Sequence, residues 1–196
     1  LVPTFLVKSN VPTISSVKPY TPLELQGRDI YIREGCYVCH SQMIRPFRSE
    51  TERYGEYSKA GEFVYDHPFQ WGSKRTGPDL AREGVGNLKK SDGWHFRHFR
   101  EPASISSGSI MPGYPFLIEQ NIDTGSTAAK INAMRTLGVP YEIGYENNAN
   151  KELLAQANGI RINLKIDGIQ VPADKEIIAL IAYVQRLGKD ITNQSK

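Results

Sequence analysis

The chain has 196 residues, with 24 Lys and Arg against 21 Asp and Glu, for a formal charge of +3. That length suits one domain with room for an appendage, and it is enough to bury a core. A hydrophobic content of 39% and a mean hydropathy of −0.43 describe an ordinary soluble domain. The basic residues are spread along the chain without a stripe or a reader motif, so no nucleic-acid partner is expected. There is no internal repeat and no low-complexity tract.

The chain opens with "LVPTFLV" (1–7), an apolar scrap far short of the roughly 20 residues that cross a bilayer. It lacks the charged n-region and cleavage site of a signal peptide. It reads either as a tag or as the end of a membrane helix whose body lies upstream. Residues 8–20 carry two prolines and several small polar residues and read as a linker, so that residues 1–20 are a linker or the remnant of an anchor. A helix then starts at Thr21, with Pro22 at its first position and Glu24 three residues after the cap, the pattern of a capping box. Leu23, Gly27 and Ile30 share one of its faces, and it runs into "EGCYVCHSQ" (34–42).

From 41 to 80 the chain is rich in Arg, Tyr, Phe, Pro and Gly without a clear period, which predicts ordered loops. "SDGWHFRHFREP" (91–102) predicts a short helix capped by Ser91 or Asp92 and stopped before Pro102. "SISSGSIMPGYPF" is a loop, and residues 126–138 read as a helix ending at Gly138. Residues 150–168 admit two readings. Leu153, Ala157, Ile160 and Leu164 recur at helical spacing, whereas "IRINLKIDG" alternates as a strand does before an Asp-Gly turn. The longer periodicity favours a helix ending near Gly168, with a hairpin over 159–171 as the alternative. The last element, "ADKEIIALIAYVQRLG", has Asp174 as its cap and an apolar face of Ile177, Ile178, Leu180, Ile181 and Val184. Arg186 sits in its last turn and Gly188 just past the end.

Both cysteines of the chain, Cys36 and Cys39, stand immediately before His40. Three chemistries use such a set. In covalent haem attachment each thiol joins a haem vinyl group, the two-residue gap sets the thiols one helical turn apart, and the following imidazole binds iron. A structural zinc site needs a fourth donor, for which His95 and His98 are candidates, but it leaves His40 without a purpose. A thiol–disulfide site needs a strand–turn–helix setting, and what precedes Cys36 is a helix. Haem is the leading reading.

An electron-transfer haem needs a sixth ligand. Met43 is three residues past His40, on the same side of the ring, and Met134 falls in a helical pattern as core. Met111 lies in a loop stiffened by Pro112 and Pro115 and is the expected distal ligand, with His67, His95 and His98 also in the pool and the last two as rivals. Neutral thioether sulfur favours ferrous iron and raises the potential, and two firm ligands leave no open position for oxygen chemistry. In "RTGPDLAR" (75–82) a Gly-Pro turn can present the Pro78 carbonyl to the free ring N–H of His40 and so fix its tautomer.

Taken together, the helix entering CxxCH, the "TGPDL" turn, the Trp-bearing helix, the Met-Pro loop and the closing amphipathic helix resemble the class I cytochrome c fold, an all-α fold. In that fold the N- and C-terminal helices cross, with Gly27 as the small residue at the crossing and Tyr183 nearby. Residues 27–84, with "MPGYPFL" and "VPADKEIIALIAYVQRLG", are more specifically similar to the mono-haem subunit of cbb(3)-type cytochrome c oxidases. Residues 118–170 match only loosely and form a helical insertion. The cytochrome domain is expected over 21–190, with a loop insertion at 41–76 and a tail at 191–196.

The resemblance implies one covalent haem c, joined at Cys36 and Cys39 and ligated by His40 and Met111. It implies an anchor helix upstream of this sequence and a haem domain on the periplasmic face of the bacterial inner membrane. Electrons would arrive from a di-haem cytochrome c subunit or another c-type cytochrome. They would pass to haem b of the catalytic haem–copper subunit, which reduces oxygen, so the chain has no oxygen-reducing site of its own. The insertion is expected to cover haem propionates with some of Arg45, Arg53 and Arg75, since a guanidinium suits a carboxylate. Tyr54, Phe69 and Trp71 are expected to build a docking face. The competing reading is a solvated loop whose aromatics pack locally. Other functions in view are a c-type cytochrome of a different complex or a free carrier, and a haem-based gas sensor.

Overall fold

A computed structural model describes residues 13–192; the segment 1–7, the first part of the linker and the end of the tail lie outside the described residues. Every named element is helical, in agreement with an all-α cytochrome c fold. α1 is Pro22–Arg33 and α2 the single turn Cys36–Cys39. α3 is Arg48–Tyr54, α4 Asp92–Arg100 and α5 Thr127–Thr136. α6 is Ala149–Ile166, α7 Glu176–Arg186 and α8 Lys189–Thr192. No helix among the described residues is long and apolar enough to cross a membrane.

α1 begins as its sequence requires. The Thr21 hydroxyl accepts from the Glu24 N–H at 3.3 Å and the Glu24 carboxylate accepts from the Thr21 N–H at 2.9 Å, so two orphan donors of the first turn are satisfied reciprocally. Its inner face meets α7 at Gly27. A Cβ there would lie 2.6 Å from the Ala179 carbonyl carbon and 2.8 Å from Tyr183 Cβ, so only glycine lets the two backbones approach this closely. Leu23, Ile30, Tyr31, Ile177, Ile178, Ile181 and Tyr183 fill the surrounding core.

α7 starts one residue later than a cap at Asp174 requires. Lys175 is the N-cap and no side chain closes it. The reason lies across the chain: the Asp174 carbonyl accepts from Ile122 N–H at 2.7 Å and Glu176 N–H donates to the Gln120 carbonyl at 3.0 Å. Lys175 Nζ reaches Asn121 Oδ1 at 2.6 Å. This pairing holds Lys175 extended, and the helix starts only beyond it.

The ambiguous stretch at 150–168 is helix. Leu153, Ala157 and Leu164 are fully buried, while Ile162 and Ile166, which an alternating strand would turn inward, are 53% and 79% exposed. Asp-Gly closes the helix instead of a hairpin. Gly168 takes φ +76°, Gly168 N–H donates to Lys165 O at 3.1 Å and Ile169 N–H to Leu164 O at 2.9 Å, the left-handed termination that suits glycine. α5 and the end of α6's approach form a second core of Leu25, Ile131, Met134, Val139, Tyr141 and Ala149, which gives Met134 its packing role.

Residues 41–80 are not loop throughout. α3 and the 3-10 turn Ala60–Phe63 interrupt them. Seven residues make two turns, too few for a hydrophobic period to show.

Candidate haem site

α1 ends at Glu34, and Gly35 at φ +69° turns the chain into α2. His40 closes α2, with its N–H on the Cys36 carbonyl at 2.9 Å. Both thiols are free; Cys36 is half-buried and Cys39 exposed. Burial, and then the charge of Glu34, pushes the Cys36 thiol up to about 12. A redox-active CxxC needs a stabilised thiolate, so this environment opposes thiol–disulfide exchange. Among the described residues no three of His, Cys, Asp and Glu converge as a metal-ion site, so His95 and His98 do not complete a four-donor set with the two thiols.

The Gly77-Pro78 turn faces the His40 ring. Nδ1 of His40 lies 2.8 Å from the Pro78 carbonyl, and a carbonyl can only accept, so Nδ1 carries the proton. Burial lowers the His40 pKa against the opposing pull of that carbonyl. The ring is therefore neutral at pH 7, with the Nε2 lone pair left as the metal donor. A Cβ at Gly77 would lie 2.8 Å from both ring nitrogens of His40, so the turn can come this close only as glycine.

Met111 is half-buried and packs, with Cys36, Leu80 and Tyr114, against the core that α1 and α7 share. Its loop is tied to the end of α4: Tyr114 N–H donates to the Phe99 carbonyl at 2.7 Å, and a Cβ at Gly113 would come within 2.6 Å of the Arg100 carbonyl oxygen. Both rival histidines sit on α4. His95 is 1% exposed and stacks on Phe99. His98 stacks on Trp94 with centroids 4.5 Å apart, and its pKa is lowered by burial first and by His40 second. His67 is half-buried in the insertion.

The insertion residues are disposed differently from expectation. Arg45 pairs with Glu50, and Arg75 binds Glu50 at 2.8 Å and the Met43 carbonyl at 2.8 Å. Glu50, although burial raises it, is held down to about 2 by those two arginines. Their guanidinium groups are thus committed to carboxylates of the chain itself. Arg53 is exposed and lies over the Tyr54 ring. Tyr54 is 8% exposed and packs with Ile44 and Ala81, so it forms no part of a docking face. Trp71 stacks on Phe69 at 4.6 Å and meets Phe63 edge-on. These aromatics pack locally because apolar surface is otherwise scarce in this stretch.

Sequence reasoning passed over Glu50, Ser41 and Asp79, which frame Arg75. Asp79 stands beside Pro78 in "TGPDL" and offered a local signal; Glu50 offered none, being 25 residues from its partner.

Three buried polar atoms among the described residues lack a partner: Trp71 Nε1, His95 Nε2 and His98 Nδ1. Buried donors and acceptors are rarely left so. Cys36 and Met111 pack against one core, His40 offers a neutral imidazole beside the thiols, and His98, whose pKa is lowered by burial and then by nearby His40, has a buried partnerless Nδ1; these residues fit a haem. No curated protein matches the chain. The family model for the cytochrome c oxidase mono-heme subunit, FixO, matches residues 1–191, and the chain accordingly belongs to this family of cbb(3)-type oxidase subunits, which carry one haem.

Proposed function

We propose that the chain is the electron-relay subunit of the oxidase, with a covalent haem c joined at Cys36 and Cys39 and ligated by His40 and Met111 in a cytochrome domain over residues 21–190. When bound, the haem supplies a one-electron ferric/ferrous couple. The chain's own residues do the rest. Cys36 and Cys39 fix the group to α2, His40 offers Nε2 while Pro78 fixes its tautomer, and Met111 offers a neutral sulfur that favours the ferrous state. The observation that carries this reading is the 2.8 Å contact of His40 Nδ1 with Pro78 O directly after the cysteine turn.

Donor and acceptor are proposed to be a di-haem or other c-type cytochrome and the catalytic haem–copper subunit, with the domain on the periplasmic face of the inner membrane. Tyr37 and Val38 between the thiols and Ile110 before Met111 are exposed, and apolar side chains around the site suit contact with a redox partner. A second reading has His98 as the sixth ligand, favoured by its buried, partnerless Nδ1.

Absorption spectra of the haem-matured protein and of Met111→Ala test both readings. A c-type reduced spectrum with a weak far-red oxidised band that disappears in Met111→Ala supports His40/Met111 ligation. A c-type spectrum indifferent to Met111 and altered in His98→Ala supports the second reading. A colourless protein after working maturation overturns the proposal.

A further inference from the structure

We propose that Asp79 is a positioning residue for His40: its carboxylate clamps the segment after His40 to the segment after Pro78 and so sets the hydrogen bond that governs the basicity of the proximal imidazole. The inference rests on the reading of His40 as the iron ligand.

Asp79 is 1% exposed, and both its oxygens accept. Oδ2 takes the Ser41 hydroxyl at 2.6 Å, the Met43 N–H at 2.8 Å and Arg75 Nη2 at 3.3 Å. Oδ1 takes the Ala81 N–H at 2.8 Å. The Asp79 N–H itself donates to the Tyr54 hydroxyl at 3.3 Å. One side of this set, Ser41 and Met43, follows His40; the other, Asp79 and Ala81, follows Pro78. Two backbone bonds complete the bracket, Gly77 N–H to Cys39 O at 3.0 Å and Leu80 N–H to Ser41 O at 2.9 Å. The His40–Pro78 contact lies inside it.

The chemistry asks for a carboxylate. Asparagine has one acceptor oxygen and would turn an NH2 toward either Ala81 N–H or the Ser41–Met43 pair, setting donor against donor. Arg75 and the backbone donors all point at the carboxylate oxygens, and bonds to a carboxylate are stronger than bonds to a neutral amide oxygen. An anion behind the proximal imidazole also favours the more positive, ferric state. Loosening the clamp weakens the pull of Pro78 on the ring N–H and removes the anion, and both act in one direction, toward a higher midpoint potential.

The test uses the haem-matured whole chain as wild type, Asp79→Asn and Ser41→Ala. The readouts are midpoint potential, the 15N shift of His40 Nδ1–H, and hydrogen exchange of the Gly77 and Leu80 amides. In Asp79→Asn the potential should rise, the Nδ1–H resonance should move toward a weaker hydrogen bond, and the two amides should exchange on the order of tenfold faster or more. Ser41→Ala, which keeps the Asp79 charge but loses the hydroxyl that donates to Asp79 and accepts from Arg75 Nε, should shift the potential the same way by less. A loss of thermal stability in Asp79→Asn with potential and Nδ1–H shift unmoved would overturn the inference while leaving the haem reading intact. If Asp79→Asn does not fold, an unchanged potential and unchanged exchange in Ser41→Ala overturn it instead. If the wild type carries no covalent haem, the proposed function falls, and amide exchange in the chain as isolated judges the clamp by itself.

Discussion

The α1–α7 contact and the insertion at 41–80 are held by opposite chemistry. Between the helices, Gly27 brings two backbones together and Leu23, Ile177, Ile178 and Ile181 exclude water around it. The insertion buries charges instead: Asp66 on Arg28, Glu62 on Arg82, Glu50 on Arg75, with Ile44, Tyr54 and Phe63 as its few buried apolar residues. Apolar burial is strong but has no preferred direction. A buried ion pair costs much of its own attraction in desolvation, and it holds only in the right geometry. The helices therefore supply stability, and the insertion supplies the register in which Gly77 and Pro78 meet His40.

The largest effect should come from unpairing a charge. Arg28 and Asp66 are 3% exposed each and 2.9 Å apart, and Arg28 also donates to the Pro68 carbonyl. Arg28→Met leaves the Asp66 carboxylate buried without its cation and should cost about 3–5 kcal/mol in urea unfolding, whereas Arg28→Met with Asp66→Leu should recover most of it. If the double variant is as weak as the single one, the insertion is held by shape, and the contrast with the helices disappears. Next comes Gly27→Ala. A methyl group meeting Ala179 backbone and Tyr183 has nowhere to go, so a loss of about 3 kcal/mol is expected. A tolerated alanine would mean that the helices can slide, and that the close contact is no constraint.

The two regions differ in the same way in how legible they were. The capping box at Thr21, the apolar face of α7 and the CxxCH run are local patterns, written within a turn or two of helix. The Gly-Pro turn is local too, but by itself it is only a turn, and it points to a contact with His40 only because it follows the CxxCH run. Asp66, Glu50 and Glu62 lie 38, 25 and 20 residues from Arg28, Arg75 and Arg82, which they bind, and a charge alone does not name a partner so far away. That is why the sequence reads Arg45 and Arg75 as propionate ligands and Tyr54 as a docking residue, when Tyr54 is buried and both arginines pair with Glu50. The Asp174 cap was missed for a related reason: a strand-like pairing with residues 120–122, invisible in either segment by itself, outcompetes it. At 159–168 the alternation was real, but Ile162 and Ile166 are exposed, and helical periodicity over the longer run prevailed.

A pH titration sharpens the comparison from the helical side. Burial, then His98 and Lys90, pushes the His95 pKa down to about 4, against an ordinary value near 6.5. Folding therefore keeps His95 neutral where the unfolded chain takes a proton. Its contribution is fully present above pH 6.5 and is lost as pH falls from 6.5 toward 4, amounting to about 2 kcal/mol between pH 7 and pH 5. His95→Leu should flatten that slope in thermal unfolding followed at both pH values. An unchanged slope would move the acid sensitivity to the insertion's carboxylates and reverse the assignment.

The smallest effect tests a single bond whose presence was readable from four residues. Thr21→Ala removes the hydroxyl that accepts from Glu24 N–H and that also donates to Gln156 Oε1 at 2.7 Å on α6. Loss of an N-cap costs about 1 kcal/mol. If the cap acts alone, Thr21→Ser, which keeps the hydroxyl, should restore nearly all of it, and Gln156→Ala should add its own separate loss to that of Thr21→Ala. If the two losses fail to add, the hydroxyl couples α1 to α6 as well as capping α1. The helical side of the molecule would then use a directional bond for register too, and the division of labour with the insertion would be one of degree.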